Sequence, residues 1–121
     1  MQDLDFLNET LFNQMLWLEQ KRAERSGRGS MLVLLNLSSL LDGSRRNYQI
    51  FKRIAKALTS CFRETDIKGW CQEDTTIGVI LTEVTSTDQM VRDRIYSKMF
   101  EKLCESLSPK DAKKIEISFQ T

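Results

Sequence analysis

The chain has 121 residues, of which 40% are hydrophobic and 29% charged, a normal composition for one soluble globular domain. Its 18 basic and 17 acidic residues leave a net charge of +1, which gives no overall attraction to nucleic acid or to an anionic membrane. The sequence has no histidine, which excludes the Ser-His and Cys-His nucleophile pairs and removes the commonest zinc ligand. Any catalysis would have to use carboxylates and a hard metal ion.

The cysteines and the hydropathy pattern indicate a cytoplasmic location. Cys61, Cys71 and Cys104 are odd in number, widely spaced and without a C-x-x-C pair, so we expect reduced, partly buried thiols. The longest apolar run, at residues 31–35, is too short to cross a bilayer, and the chain opens with no secretory signal. We therefore expect no membrane insertion.

The spacing of the apolar residues predicts three helices and four strands. The helices have apolar residues at intervals of three and four, and the strands are continuous or alternating apolar runs bounded by turn residues. In chain order they are a helix over 4–25, a strand over 31–37, a helix over 45–62, strands over 67–71 and 75–84, a helix from 88 to 107, and a strand over 114–119. A breaker cluster at residues 26–30 ends the first helix, and Ser44 and residues 86–88 are predicted helix caps.

After the first helix, the predicted order is βαββαβ. This order predicts an α/β (α+β) fold of the ferredoxin-like type, an antiparallel sheet with two helices on one face, preceded by an N-terminal helix. We expect a single domain over residues 1–121, with a leading helix and turn over 1–28 and a core over 31–121. The predicted central strands contain no aromatic residue, which argues against an RNA-recognition sheet and against a nucleic-acid partner.

The segment over residues 63–81 carries a resemblance to a known family. It reads R-x-x-D at a helix end, with Arg63 and Asp66, then a short strand, a turn and the strand I-G-V-I-L. This order resembles the centre of a GGDEF domain, in which the turn carries the Gly-Gly-Asp/Glu-Glu-Phe signature. Upstream, L-L-N-L-S at 34–38 resembles the first core strand of the family, and residues 20–28 resemble the helix and turn before it. I-S-F at 117–119 resembles a later strand, so the resemblance spans nearly the whole chain and implies a nucleotide cyclase-like fold in bacterial signalling.

The chain departs from this family where active members hold magnesium and the GTP phosphates. Asn36 and Ser38 stand where the first strand of the family carries two aspartates, and the turn reads Q-E-D-T-T at 72–76, without glycine. A hard cation prefers carboxylate ligands, and phosphates need close backbone approach. The resemblance therefore implies a degenerate, catalytically inactive domain without a cofactor. The alternative is a residual nucleotide-binding enzyme in which Glu73 or Asp74 supports a metal.

One motif of the family is retained. The resemblance implies that Arg63 and Asp66 form a cyclic di-GMP site, with the arginine on guanine or phosphate edges and the aspartate accepting from guanine N–H groups. Arg53 and Lys56, one to three helical turns earlier, would add positive charge. The alternative interpretation is structural: the arginine interacts with the helix dipole and the aspartate caps the turn.

The first helix is more apolar than one core-facing stripe requires. We expect Phe6, Phe12 or Trp17 to be shared with a protein partner, an attached domain or a second copy of the chain, as in a homodimer. Gly69, inside a predicted strand, indicates a bulge or a close approach of another backbone.

Overall fold

The computed structural model describes residues 6–27, 29–41, 46–84 and 88–120. Within these ranges the chain forms four helices and four strands. They are α1 (Glu9–Ser26), β1 (Gly29–Asn36), α2 (Arg46–Cys61), β2 (Ile67–Gln72), β3 (Thr76–Val84), α3 (Gln89–Ser106), the short α4 (Pro109–Ala112) and β4 (Glu116–Gln120).

The strands form one antiparallel sheet in the order β2-β3-β1-β4. This is the ferredoxin-like arrangement, so the predicted fold class is confirmed. The continuous apolar sequence of β1 fits its central place, because a central strand is covered on both faces. Alternate residues of β1 and β3 pack against α2 and α3 in the main core. This core includes Met31, Leu35 and Ile77 of the strands and Ile54 and Leu103 of the helices.

The helix α1 packs on the opposite face of the sheet. Phe12, with none of its surface exposed, lies over Gly69 and Gly78, which face each other on β2 and β3. A Cβ atom added at Gly78 would lie 2.5 Å from the Phe12 Cζ atom. The two glycines therefore form the flat floor that the Phe12 ring requires, and the sheet has helices on both faces.

The start of α1 differs from the prediction. The helix begins at Glu9, with Asn8 as N-cap, so the predicted start at residue 4 is wrong. The preceding chain is extended: the Leu7 N–H donates to the Lys68 carbonyl at 3.0 Å, and the Leu7 carbonyl accepts from the Trp70 N–H at 3.0 Å. These two bonds satisfy the edge of β2, which local helical periodicity cannot reveal. The close backbone approach indicated by Gly69 is confirmed by the Leu7 carbonyl.

Smaller differences occur near the other element ends. Asp88 caps α3 as predicted, whereas Ser44 and residues 86–87 lie outside the described residues. The stop expected after α3 is followed by the extra turn α4, because the Ser108 hydroxyl accepts from the Asp111 N–H at 3.1 Å. The last strand begins at Glu116, not at residue 114.

Candidate functional site

The Arg63–Asp66 motif forms a closed turn between α2 and β2. The Asp66 Oδ2 atom accepts from the Arg63 N–H at 3.0 Å, and the Arg63 carbonyl accepts from the Asp66 N–H at 3.0 Å. The spacing of three positions therefore closes a four-residue turn, held by one bond between backbone groups and one bond from the backbone to the Asp66 carboxylate. These two hydrogen bonds close the turn and give the motif a structural role.

The two side chains differ sharply in exposure. The Arg63 guanidinium donates to the Thr82 carbonyl on β3 at 3.1 Å and lies 3.6 Å from the Asp66 Oδ1 atom. The Arg63 side chain is 66% exposed, whereas that of Asp66 is 4% exposed and its Oδ1 atom is enclosed without a hydrogen bond. The Arg63 side chain would have to move before a ligand could reach this oxygen.

A surface cavity of about 520 Å³ lies beside this turn, between α2, β3 and α3. We call it the α3 cavity. Arg94 and Lys98 of α3 line it together with Arg63 and Asp66, and its apolar wall includes Phe62 and Ile95. The lining thus combines three cationic side chains with one acidic side chain, and the acidic one is largely covered.

The additional cations expected from the sequence are not those that line the α3 cavity. Arg53 and Lys56 are exposed on α2 and do not line the α3 cavity. The cations that accompany Arg63 come instead from α3, about thirty positions later in the chain. Arg94 and Lys98 are separated by four residues and therefore share one helix face, a signal that helical spacing alone could have provided.

Cys61 also lines the α3 cavity. Burial raises the pKa of the Cys61 thiol above its ordinary value, although the nearby Lys98 ammonium partly offsets the effect. Its Sγ atom lies 3.8 Å from the Lys98 carbonyl oxygen. The thiol is therefore protonated at neutral pH and is a poor nucleophile.

Asn36 and the β2–β3 turn, which the sequence resemblance aligns with a metal site, lie together at one end of the sheet. The Leu37 N–H donates to the Thr75 carbonyl at 2.8 Å, which holds the β2–β3 turn beside the end of β1. At that end the Asn36 Oδ1 atom accepts from the Ser38 N–H at 2.9 Å, so the amide caps its own loop.

The turn itself is also occupied by internal contacts. The Glu73 N–H donates to a Glu9 carboxylate oxygen of α1 at 2.6 Å, and Asp74 adopts a left-handed conformation with φ of 59°. In a phosphate-binding turn the backbone N–H groups must be available to the ligand. Within the described ranges, no three His, Cys, Asp or Glu side chains lie close enough together to hold a metal ion.

The three aromatic side chains predicted to be shared with a partner differ in exposure. Phe12 is buried within its own domain, which corrects the prediction for this residue. Phe6 is half-buried and makes an edge-to-face contact with Phe51, their centroids 5.2 Å apart. Trp17 remains 58% exposed on α1. No helix in the described part of the chain is both long and apolar enough to span a membrane.

Comparison with solved structures identifies the fold. No family model and no curated protein matches the chain. Among solved structures, a DGC protein from Thermotoga maritima is similar at 17% identity with a TM-score of 0.69, over 95% of this chain and 79% of that one. The diguanylate cyclase SiaD from Pseudomonas aeruginosa, solved with its activator SiaC, is similar at 21% identity with a TM-score of 0.63, over 80% of this chain and 38% of SiaD. The chain therefore has the fold of diguanylate cyclase proteins, and the expected GGDEF-like fold is confirmed.

Proposed function

We propose that this chain is a catalytically inactive GGDEF-like regulatory domain that binds cyclic di-GMP in the α3 cavity. The observation that carries the proposal is the convergence of Arg63, Arg94 and Lys98 on one cavity of about 520 Å³. The ligand carries two phosphodiester charges, and a cluster of cations around an apolar wall suits both its phosphates and its guanine rings.

The proposed roles of Arg63 and Asp66 follow from their contacts. The Arg63 guanidinium is exposed and is held over the cavity by the Thr82 carbonyl, so it is ready to meet a phosphate or a guanine edge. Asp66 holds the turn through Oδ2 and keeps Oδ1 without a hydrogen-bond partner. When Arg63 turns toward the ligand, Oδ1 becomes able to accept from guanine N–H groups, which supplies the hydrogen bond that this buried oxygen lacks.

We propose that catalysis is lost because of the residues at the other end of the sheet, beside the β2–β3 turn. Asn36 offers no charge to a hard cation, and its amide oxygen already accepts from the Ser38 N–H. The Glu73 N–H, which would have to face a phosphate, is bonded to Glu9. We propose that the whole of residues 1–121 forms one such domain. Its output would be contact with a protein partner or an attached domain, as the complex of SiaD with SiaC illustrates for that protein.

Calorimetric titration with cyclic di-GMP tests the proposal. Arg63→Ala and Arg94→Ala should each weaken binding by roughly one to two orders of magnitude, the value of a hydrogen bond to a charged group. The matched control is Arg53→Ala, which removes an exposed arginine of α2 outside the cavity and should leave the affinity unchanged. Binding of GTP or GMP with equal affinity would contradict selection of the dinucleotide.

The structural interpretation of the motif makes the opposite prediction. It expects no binding by the unmodified chain and a loss of stability when the turn is broken. Asp66→Ala leaves the Arg63 N–H without its partner and should cost about 1–2 kcal/mol in either case. Arg63→Ala should change stability little, because the side chain is exposed. Absence of binding would therefore reject the receptor function while retaining the turn.

A further inference from the structure

Lys68 is a charged residue in a position that otherwise belongs to the core. It lies on β2 opposite Val79 of β3, and Val79 is fully buried among the residues that meet α2 and α3. Lys68 therefore points to the face of the sheet that α2 and α3 cover, and only 7% of its surface is exposed. A lysine in a strand is normally solvated, so this burial needs an explanation.

The Lys68 ammonium has no partner among the described residues. No carboxylate lies within ion-pairing distance, and no carbonyl or hydroxyl accepts a hydrogen bond from it. The ammonium is not fully enclosed, so it retains some access to solvent. Burying an unpaired ammonium is unfavourable, and an anion supplied from outside would remove that cost.

Lys68 also lines a second cavity, of about 660 Å³, at the edge of the sheet between α1, the end of α2 and β2. We call it the β2-edge cavity. Its wall on the α1 side is apolar, formed by Leu7, Leu11 and Met15, and Ile67 of β2 adds to this surface. Leu11 and Met15 are 47% and 36% exposed, which is a high exposure for side chains of this type. The cavity therefore offers one unpaired positive charge beside an apolar surface that is open to water.

The acidic side chains of this cavity do not neutralise Lys68. Asp66 faces the Arg63 guanidinium, and the Asp66 Oδ1 atom is enclosed. Glu64 is exposed at the rim, where water screens its charge. Lys68 is therefore the buried charge that an anion in this cavity would meet, and the exposed Glu64 opposes the anion only weakly.

We infer that the β2-edge cavity binds a small organic anion with an apolar body, such as a medium-chain carboxylate. The carboxylate pairs with Lys68, and the chain covers Leu7, Leu11 and Met15. The β2-edge cavity adjoins the α3 cavity, and Phe62, Arg63 and Asp66 line both. Lys68 and the apolar wall line the β2-edge cavity and not the α3 cavity, so the inference goes beyond cyclic di-GMP binding.

The test uses the whole chain and sodium decanoate, well below its micellar concentration, in calorimetry and thermal unfolding. Decanoate should bind saturably and raise the melting temperature, because a ligand of the folded state stabilises it. Decanol, which lacks the charge, and inorganic phosphate, which lacks the apolar chain, should bind at least about tenfold more weakly. Equal binding of decanoate and decanol would overturn the inference, as would no saturable binding of decanoate.

Two variants locate the site. Lys68→Met removes the ammonium at similar length, and it should reduce decanoate affinity about tenfold or more while the melting temperature of the free protein stays equal or rises. Lys56→Met, the same change at an exposed position of α2, is the matched control and should keep full affinity. Met15→Trp fills the rim and should block decanoate without unfolding the chain, so it decides the matter if Lys68→Met does not fold. Unchanged affinity in Lys68→Met or in Met15→Trp would overturn the assignment.

Discussion

The contact between Phe12 and the two facing glycines makes a quantitative prediction about stability. A methyl group at Gly78 would stand 2.5 Å from Phe12 Cζ and 2.8 Å from Cε2, far inside van der Waals contact. The ring has no exposed surface and is clamped between α1 and the sheet, so it cannot move without disturbing the helix. Overpacking of this kind costs about 1–3 kcal/mol, and we expect Gly78→Ala to lower the free energy of unfolding by that amount.

The reasoning also predicts that the loss depends on Phe12. Phe12→Leu removes the ring atoms nearest to Gly78, so Gly78→Ala should be much less harmful in that background, with a coupling of about 0.5–3 kcal/mol. Urea denaturation followed by circular dichroism measures all four proteins of this cycle. Ser118→Ala, on the exposed side of β4, is the control and should stay within about 0.5 kcal/mol of the unmodified chain. Equal losses with and without the Phe12 ring would refute the proposed contact.

Three further predictions concern chemistry and assembly. Because burial raises the pKa of the Cys61 thiol, its alkylation followed by mass spectrometry should be slow at neutral pH and should accelerate only at a pH above that needed for an ordinary exposed cysteine; rapid alkylation at pH 7 would argue against burial. The chain should make no cyclic di-GMP from GTP with magnesium or manganese, and Asn36→Asp should not restore synthesis, since Glu73 of the turn still bonds Glu9; detectable product from the unmodified chain would favour a residual enzyme. A homodimer through the outer face of α1 should appear in light scattering and dissociate in Trp17→Glu, because this ring is 58% exposed; a monomeric unmodified chain rejects it.

The sheet and the helices α2 and α3 could be predicted because the local hydrophobic pattern of each segment agrees with the structure it adopts. β1 is a continuous apolar run, and β4 alternates Ile117 and Phe119 with polar residues, as its half-buried pattern confirms. The cap of α3 at Asp88 was also readable, since its side chain accepts from the Val91 N–H at 3.0 Å. In these segments the local preference and the tertiary environment agree.

The differences arise where a distant partner decides the conformation. Leu7 has helical spacing with Leu11, yet it is extended because the edge of β2 takes both of its backbone groups. A lysine within a strand is normally exposed, and only the folded chain places Lys68 on the buried face of the sheet that α2 and α3 cover. The candidate site shows the same limit. The spacing of Arg63 and Asp66 makes this pair recognisable in the sequence, whereas Arg94 lies near them only because of how α3 packs. Tertiary packing decides which side chains from separate elements come into contact, and the sequence of one element alone does not predict that packing.

A crystal structure of the chain with cyclic di-GMP would test the central claim most directly. The account predicts ligand density in the α3 cavity, with phosphates against Arg63, Arg94 and Lys98. It also predicts that the Arg63 guanidinium leaves its present position 3.6 Å from Asp66 Oδ1, so that this oxygen accepts from guanine. Ligand bound at the β2–β3 turn beside Asn36, or an empty α3 cavity with the Arg63–Asp66 turn unchanged at saturating ligand, would contradict the account.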